Sequence, residues 1–176
     1  MKTSIALIGF MGTGKTVVGK TLAEKLGKEF VELDSLIEQM AGKTIPEIFK
    51  EDGEIAFREL EIEAAMEVSK KKNTVIACGG GVVLNKINID RLKKETIIVY
   101  LTASTGAILK RTLSEGETRP LLNVQDKISE IRELLSFRRP FYERAADITI
   151  NTSKLDIDSV VERIMKKVKE DEGFNR

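Results

Sequence analysis

The chain has 176 residues, 41% of them hydrophobic and 32% charged, which fits one soluble domain with a core of its own. The formal net charge is +1, so neither nucleic acid nor an acidic membrane is expected as a bulk partner, and each arginine must be judged by its position. Histidine is absent, which excludes His-based acid–base chemistry and His metal ligation, and the single Cys78 excludes an internal disulfide and fits a reducing compartment.

No apolar run reaches membrane length, and Met1-Lys2-Thr3 leads straight into apolar sequence. A cytoplasmic protein without a leader is expected. Residues 4–8 read as a buried parallel strand. They are followed by Gly9-Phe10-Met11-Gly12-Thr13-Gly14-Lys15-Thr16, a full phosphate-loop pattern. Glycines let the backbone curl so that successive N–H groups face a polyphosphate, and the helix beginning near Lys15 adds its positive end. Lys15 would reach the β- and γ-phosphates, and the Thr16 hydroxyl would ligate Mg²⁺. Val18, Leu22 and Leu26 stripe that helix, and Gly27 stops it. A chance glycine-rich turn is the alternative, but the flanking strand and helix speak against it.

Residues 29–33 read as a short strand ending at Asp34. Ser35 with Glu38 forms a capping-box pattern that starts a helix to about Met40, and Thr44 with Glu47 repeats it. A longer helix is expected from Glu54 to about Lys71. The strand at 74–78 runs into Gly79-Gly80-Gly81. Residues 87–92 read as helix, 97–101 as strand and 103–112 as helix with Arg111 in its last turn. The polar stretch 114–123, with Gly116 and Pro120, reads as a mobile loop. A helix at 126–137 is expected to be interrupted near Pro140. A last strand at 148–150 precedes a terminal helix striped by Val160, Val161, Ile164, Met165 and Val168, and 171–176 is expected to fray. Strand and helix alternate about five times without repeat or linker, which calls for an α/β fold with a parallel sheet and helices on both faces. Ligands in such folds sit beyond the carboxyl ends of the strands, where the phosphate loop, Asp34 and the glycine triplet all fall.

Several residues carry a functional and an ordinary reading side by side. Asp34 is a helix cap, or it accepts a substrate hydroxyl's hydrogen bond or proton. Arg58 shares a helix side with Ile55 and Ile62, so it snorkels to solvent or faces an anion. Of Arg138 and Arg139, one reads as a solvated helix end. The glycine triplet is a flexible turn, or a place where a ligand meets bare backbone. Cys78 reads as a small buried residue. Arg119 is a surface charge, or it closes over a transferring phosphoryl group. No guanine-reading motif is present, which argues against a GTPase, and the length argues against a motor.

The ordered set of motifs resembles the shikimate kinase family from Ile5 to about Val168. It comprises the phosphate loop at 9–16, the acid pair ending in Asp34, Phe57-Arg58-Glu59-Leu60-Glu61 and Gly79-Gly80-Gly81. It continues with Lys110-Arg111-Thr112, Arg119-Pro120-Leu121-Leu122 and Arg138-Arg139-Pro140-Phe141-Tyr142. The resemblance implies transfer of the γ-phosphoryl of ATP to the 3-hydroxyl of shikimate, in aromatic amino-acid biosynthesis. It implies Lys15, Asp34 and Arg119 as catalytic. It implies Gly12, Thr13, Gly14, Lys15, Thr16, Val17, Arg111 and Arg119 at ATP, with Arg111 and the segment after Ile150 flanking adenine. Asp34, Arg58, Gly80, Gly81 and Arg138 would hold shikimate. The implied fold is a three-layer phosphate-loop kinase of about residues 1–170, with a five-stranded parallel sheet, a substrate-binding helical region near 34–61 and a lid near 112–124. The implied protein is a monomer that takes small molecules, with no nucleic-acid or membrane partner. Glu32 stands where the family usually has Asp. On a strand it would point the same way as Asp34, and so either serves Mg²⁺ through a water or is a strand-end surface charge. A related kinase of another small carboxylate, such as gluconate, and a non-catalytic nucleotide-binding protein are the alternatives.

Overall fold

Every side chain of β1 (Ser4–Ile8) is buried, because this strand has a neighbour on each edge and helices on each face. The computed structural model describes residues 2–114, 127–171 and 174. Around β1 the chain lays down α1 (Lys15–Leu26), β2 (Glu29–Glu32), α2 (Leu33–Ala41), α3 (Ile45–Glu51), α4 (Gly53–Val68) and β3 (Thr74–Ala77). A 3-10 turn (Val82–Leu84), α5 (Lys86–Glu95), β4 (Thr96–Thr102), α6 (Thr105–Ser114), α7 (Lys127–Ala145), β5 (Ile148–Asn151) and α8 (Ile157–Glu170) follow. The five strands are parallel in the order β2-β3-β1-β4-β5, as the alternation of strand and helix requires.

Strand side chains alternate faces, and the core divides accordingly. Ile5 and Leu7 pack with Val18 and Leu22 of α1 and with Val161 and Ile164 of α8. Ala6 and Ile8 pack on the other face with Ile37, Ile48, Ala64, Leu92 and Tyr142, drawn from α2, α3, α4, α5 and α7. The strands therefore all end at one edge of the sheet, where β1 passes into the phosphate loop and β3 into the glycine triplet. No helix among the described residues is long and apolar enough to cross a membrane.

Three local expectations are corrected. First, α2 starts at Leu33, so Ser35 lies inside its first turn and caps nothing. Leu33 and Ile37, four residues apart and both fully buried, fix the helix start. The capping box at Thr44 and Glu47 does form, with Glu47 Oε2 accepting from the Thr44 N–H at 2.8 Å. Second, α7 continues through Pro140 to Ala145. An interior proline costs about 3 kcal/mol. Beyond it, Tyr142 is 0% exposed and Ala145 is buried, with Arg138 and Leu135 buried before it. An apolar side chain buried in full contributes about 1.5–3 kcal/mol, so the run of buried positions offsets the proline. Third, Ile55 is 79% exposed. The buried stripe of α4 is Phe57, Glu61, Ala64, Ala65 and Val68, and Arg58 borders it rather than sharing a side with Ile55.

Of the tail expected to fray, Asp171 and Phe174 are described. Asp171 donates its N–H to the Val168 carbonyl, and Phe174 forms a parallel bridge to Lys2.

Candidate active site

The loop between β1 and α1 is built on unusual backbone. Gly12 and Gly14 hold φ of +73° and +92°, which other residues rarely adopt, and a Cβ on Gly9 would lie 2.3 Å from the Leu101 carbonyl oxygen of β4. The turn is tied internally by the Thr13 hydroxyl, which donates to the Phe10 carbonyl at 2.8 Å. Lys15 reaches back across it, its Nζ donating to the carbonyls of Gly9 and Phe10 at 2.8 and 2.9 Å. Its charge therefore sits over the concave side of the loop, ahead of the N-terminus of α1. That is where a polyphosphate would lie.

Thr16 donates its hydroxyl to Glu32 Oε1 at 2.5 Å, and Glu32 Oε2 accepts from Ser35 at 3.1 Å. Glu32 ends β2 while Asp34 lies within α2, so the expectation that strand alternation points both the same way does not hold. They serve different parts of the cleft. Glu32 stands beside the phosphate loop. Asp34 faces the glycine triplet, its Oδ1 only 2.8 Å from where a Cβ on Gly79 would be.

Arg111, in the last turn of α6, spans from the loop to the segment after β5. It donates to the Gly12 carbonyl at 3.1 Å, the Thr152 hydroxyl at 3.0 Å and the Thr152 carbonyl at 2.8 Å. Thr152 donates in turn to the Thr13 carbonyl at 3.3 Å. Val17 is exposed at the first turn of α1. Arg119 and positions 115–124 of the expected lid lie outside the described residues.

A second basin adjoins the loop. It is an open pocket of about 100 Å³. Asp34, Arg58, Glu61, Gly80, Gly81 and Arg138 line it, with Phe49 and Phe57 as an apolar wall whose ring centroids are 4.7 Å apart. A Cβ on Gly80 would come within 3.7 Å of both the Gly9 carbonyl oxygen and the Met11 nitrogen, so the two basins share a border. Arg58 donates to Glu61 Oε1 at 2.9 Å and to Glu54 Oε1 at 3.4 Å. Its guanidinium lies across Gly81, where a Cβ would stand 2.3 Å from the Arg58 Nη1. Arg138 is 3% exposed, and its neighbour Arg139 is exposed. The Arg138 Nε and Glu61 Oε2 are buried without a hydrogen-bond partner among the described residues. A pocket lined by two guanidinium groups and by the carboxylates of Asp34 and Glu61 has donors for an anion and acceptors for hydroxyls.

Burial pushes the Glu61 carboxyl up from the ordinary carboxylate range, opposed by the Arg58 guanidinium beside it. Burial also pushes the Cys78 thiol up to about 12. At pH 8 Cys78 should therefore remain a thiol and resist iodoacetamide in the folded protein, reacting only after unfolding. Rapid labelling of the native protein, followed by mass spectrometry, would contradict its burial.

The family model for shikimate kinase matches residues 11–169. The chain belongs to the shikimate kinase family. It is 49% identical over 163 residues to the shikimate kinase of Caldanaerobacter subterraneus subsp. tengcongensis, covering 93% of this chain and 94% of that one. It is 48% identical over 164 residues to that of Thermodesulfovibrio yellowstonii, with 93% and 94% covered. The structure of shikimate kinase from Acinetobacter baumannii in complex with shikimate superposes with a TM-score of 0.93 at 37% identity, covering 98% of this chain and 96% of that one. The five-stranded parallel sheet with helices on both faces is the arrangement expected for this family.

Sequence reasoning assigned no individual role to Glu61 and Tyr142, which the structure places at or just behind the cleft, and offered Gly79 only within the glycine triplet and Thr152 only within the segment after Ile150. Glu61 had a signal. It is a charged residue three positions after Arg58, on the helix stripe that carries Phe57 and Ala64. The partners of Gly79 and Thr152 were not legible, because their contacts join segments far apart in the chain.

Proposed function

We propose that this chain transfers the γ-phosphoryl group of ATP to the 3-hydroxyl of shikimate, giving shikimate 3-phosphate and ADP for aromatic amino-acid biosynthesis. The observation that carries this reading is the shared border of the two basins, phosphate loop on one side and paired arginines with Asp34 on the other, in a chain of this family. Arg58 and Arg138 hold the carboxylate, with the backbone of Gly80 and Gly81 against the ring. Asp34 accepts the hydrogen bond of the attacking hydroxyl and takes its proton as the new O–P bond forms. Lys15 and Arg119 neutralise charge on the transferring group as the bond to the β-phosphate oxygen breaks. Gly12, Thr13, Gly14, Thr16 and Val17 hold the phosphates, and Arg111 flanks adenine. The chain is read as a cytoplasmic monomer with a lid at 112–124. Static light scattering at assay concentration tests the oligomeric part of that reading.

The test is ADP release coupled to NADH oxidation, with ATP, Mg²⁺ and either shikimate or gluconate. Turnover with shikimate is expected. Turnover with gluconate alone would make this a kinase of another carboxylate, and binding of both ligands without turnover would make it non-catalytic.

The oxygen set at the loop fits Mg²⁺, because the Thr16 hydroxyl and the Glu32 carboxylate are hard donors held together at 2.5 Å. The ion, when bound, neutralises phosphate charge. Thr16 would be a direct ligand, and Glu32 would act through a water, its longer side chain reaching by rotamer. Glu32→Gln is expected to raise the Mg²⁺ concentration for half-maximal rate about tenfold. Glu32→Asp should keep substantial activity, and Asp34→Asn should damage shikimate use at every Mg²⁺ level. An unchanged Mg²⁺ requirement in Glu32→Gln would leave Thr16, nucleotide and water as the whole metal site.

A further inference from the structure

Tyr142 heads the fully buried side chains by volume and lies directly behind the pocket. Its ring stacks on Tyr100 of β4, with centroids 5.0 Å apart and planes at 20°. Phenylalanine would fill that space equally well. The hydroxyl is therefore a polar group taken into the core, which is unfavourable unless it is hydrogen-bonded. It donates to the Gly80 carbonyl at 2.5 Å, across 62 residues of sequence. The Arg138 guanidinium, one helical turn earlier, also reaches the Tyr142 hydroxyl, and burial keeps the phenol protonated and so a donor. A Cβ on Gly80 would itself lie 3.4 Å from the Arg138 Nη1.

We infer that Tyr142 is a positioning residue that fastens the Gly79–Gly81 turn to α7, and so aims the Gly81 N–H and the Arg138 guanidinium together into the pocket. The inference rests on the reading of that pocket as the shikimate site. Its physical basis is the planarity of the peptide bond. The Gly80 carbonyl and the Gly81 N–H belong to one rigid unit and point in opposite directions. Fixing the carbonyl on α7 fixes the N–H toward the pocket side. Three successive glycines have more backbone freedom to lose than any other tripeptide, so an external anchor matters more here than at an ordinary turn.

The test is Tyr142→Phe, which keeps the ring stack and removes only the hydroxyl, with Tyr100→Phe as the control. Tyr142→Phe should raise the Kd and KM for shikimate about tenfold. The KM for ATP and kcat should stay within about twofold, and amide hydrogen exchange over 80–82 should be faster. Tyr100→Phe should change none of these. Unchanged shikimate binding in a folded Tyr142→Phe overturns the inference. So does equal weakening of ATP and shikimate, which marks a plain core residue. Failure of the wild-type protein to bind shikimate overturns the pocket reading and the inference with it. Should Tyr142→Phe not fold, exchange in the wild-type protein decides. Shikimate should protect 80–82 and the stretch around Arg138–Tyr142 together, and protection of one alone refutes the coupling.

Discussion

Lys15→Met should lower kcat by about 10²–10³-fold, the loss usual when one preorganised electrostatic donor is removed from a transferring group. Shikimate binding should change little, because Lys15 belongs to the phosphate basin. The fold should survive. Lys15 contributes two hydrogen bonds to the carbonyls of Gly9 and Phe10. The loop keeps the Thr13 bond to Phe10, the Arg111 bond to Gly12 and the Thr152 bond to Thr13. Methionine also follows the aliphatic path of the lysine stem, so packing at the start of α1 is retained. Lys15→Arg should not restore the rate, because a planar fork does not replace a compact ammonium over a curled loop. The measurement is kcat beside a thermal melt by circular dichroism. Near-normal turnover in a folded Lys15→Met would remove charge neutralisation by this residue from the mechanism.

The sheet and the phosphate loop were legible because their signals are local. A buried strand, a glycine pattern and a striped helix lie within residues 4–26, and the strand–helix alternation determines parallel pairing. Helix ends near the cleft were less legible. At Leu33 the helix start is decided by which side chain must enter the core, so the Ser35 capping pattern is overridden. At Pro140 a strong local breaker is outweighed by Tyr142 and its buried neighbours, whose partners lie on other elements. The same distinction runs through the candidate site. The residues alone offered Arg138 and Arg139 as a pair and the resemblance chose Arg138, but the packing of α7 is what buries Arg138 and exposes Arg139. Glu61 stood in the sequence only as the end of the Phe57–Glu61 motif, and the structure buries it beside Arg58 and Gly79. Contacts between β3, α4 and α7 leave no mark on any one segment.

Arg138→Ala should cost about 2–5 kcal/mol in the use of shikimate, read as kcat/KM, because a desolvated charge pair loses one partner. That is a fall of roughly 30- to 4,000-fold. Arg58→Ala should fall in the same range, while Arg139→Ala should be nearly silent, since its side chain is exposed. The KM for ATP should move far less in all three. Truncating Arg138 also removes a buried side chain from α7, so a thermal melt must accompany the kinetics. Gly81→Ala separates binding from stability more cleanly. Gly81 has φ of −98°, which alanine accepts without strain. The added Cβ would stand 2.3, 2.6 and 2.8 Å from Nη1, Nη2 and Cζ of Arg58. The guanidinium is the flexible end of a long side chain and must swing away, taking its charge from the carboxylate position. Gly81→Ala should therefore reproduce much of the Arg58→Ala deficit with little change in melting temperature, and Gly81→Ala combined with Arg58→Ala should be no worse than Arg58→Ala alone. Additive losses in that double variant would mean that the added methyl disturbs the substrate directly, beyond displacing Arg58. A damaging Arg139→Ala beside a silent Arg138→Ala would move the clamp to the other arginine, against the burial that distinguishes them.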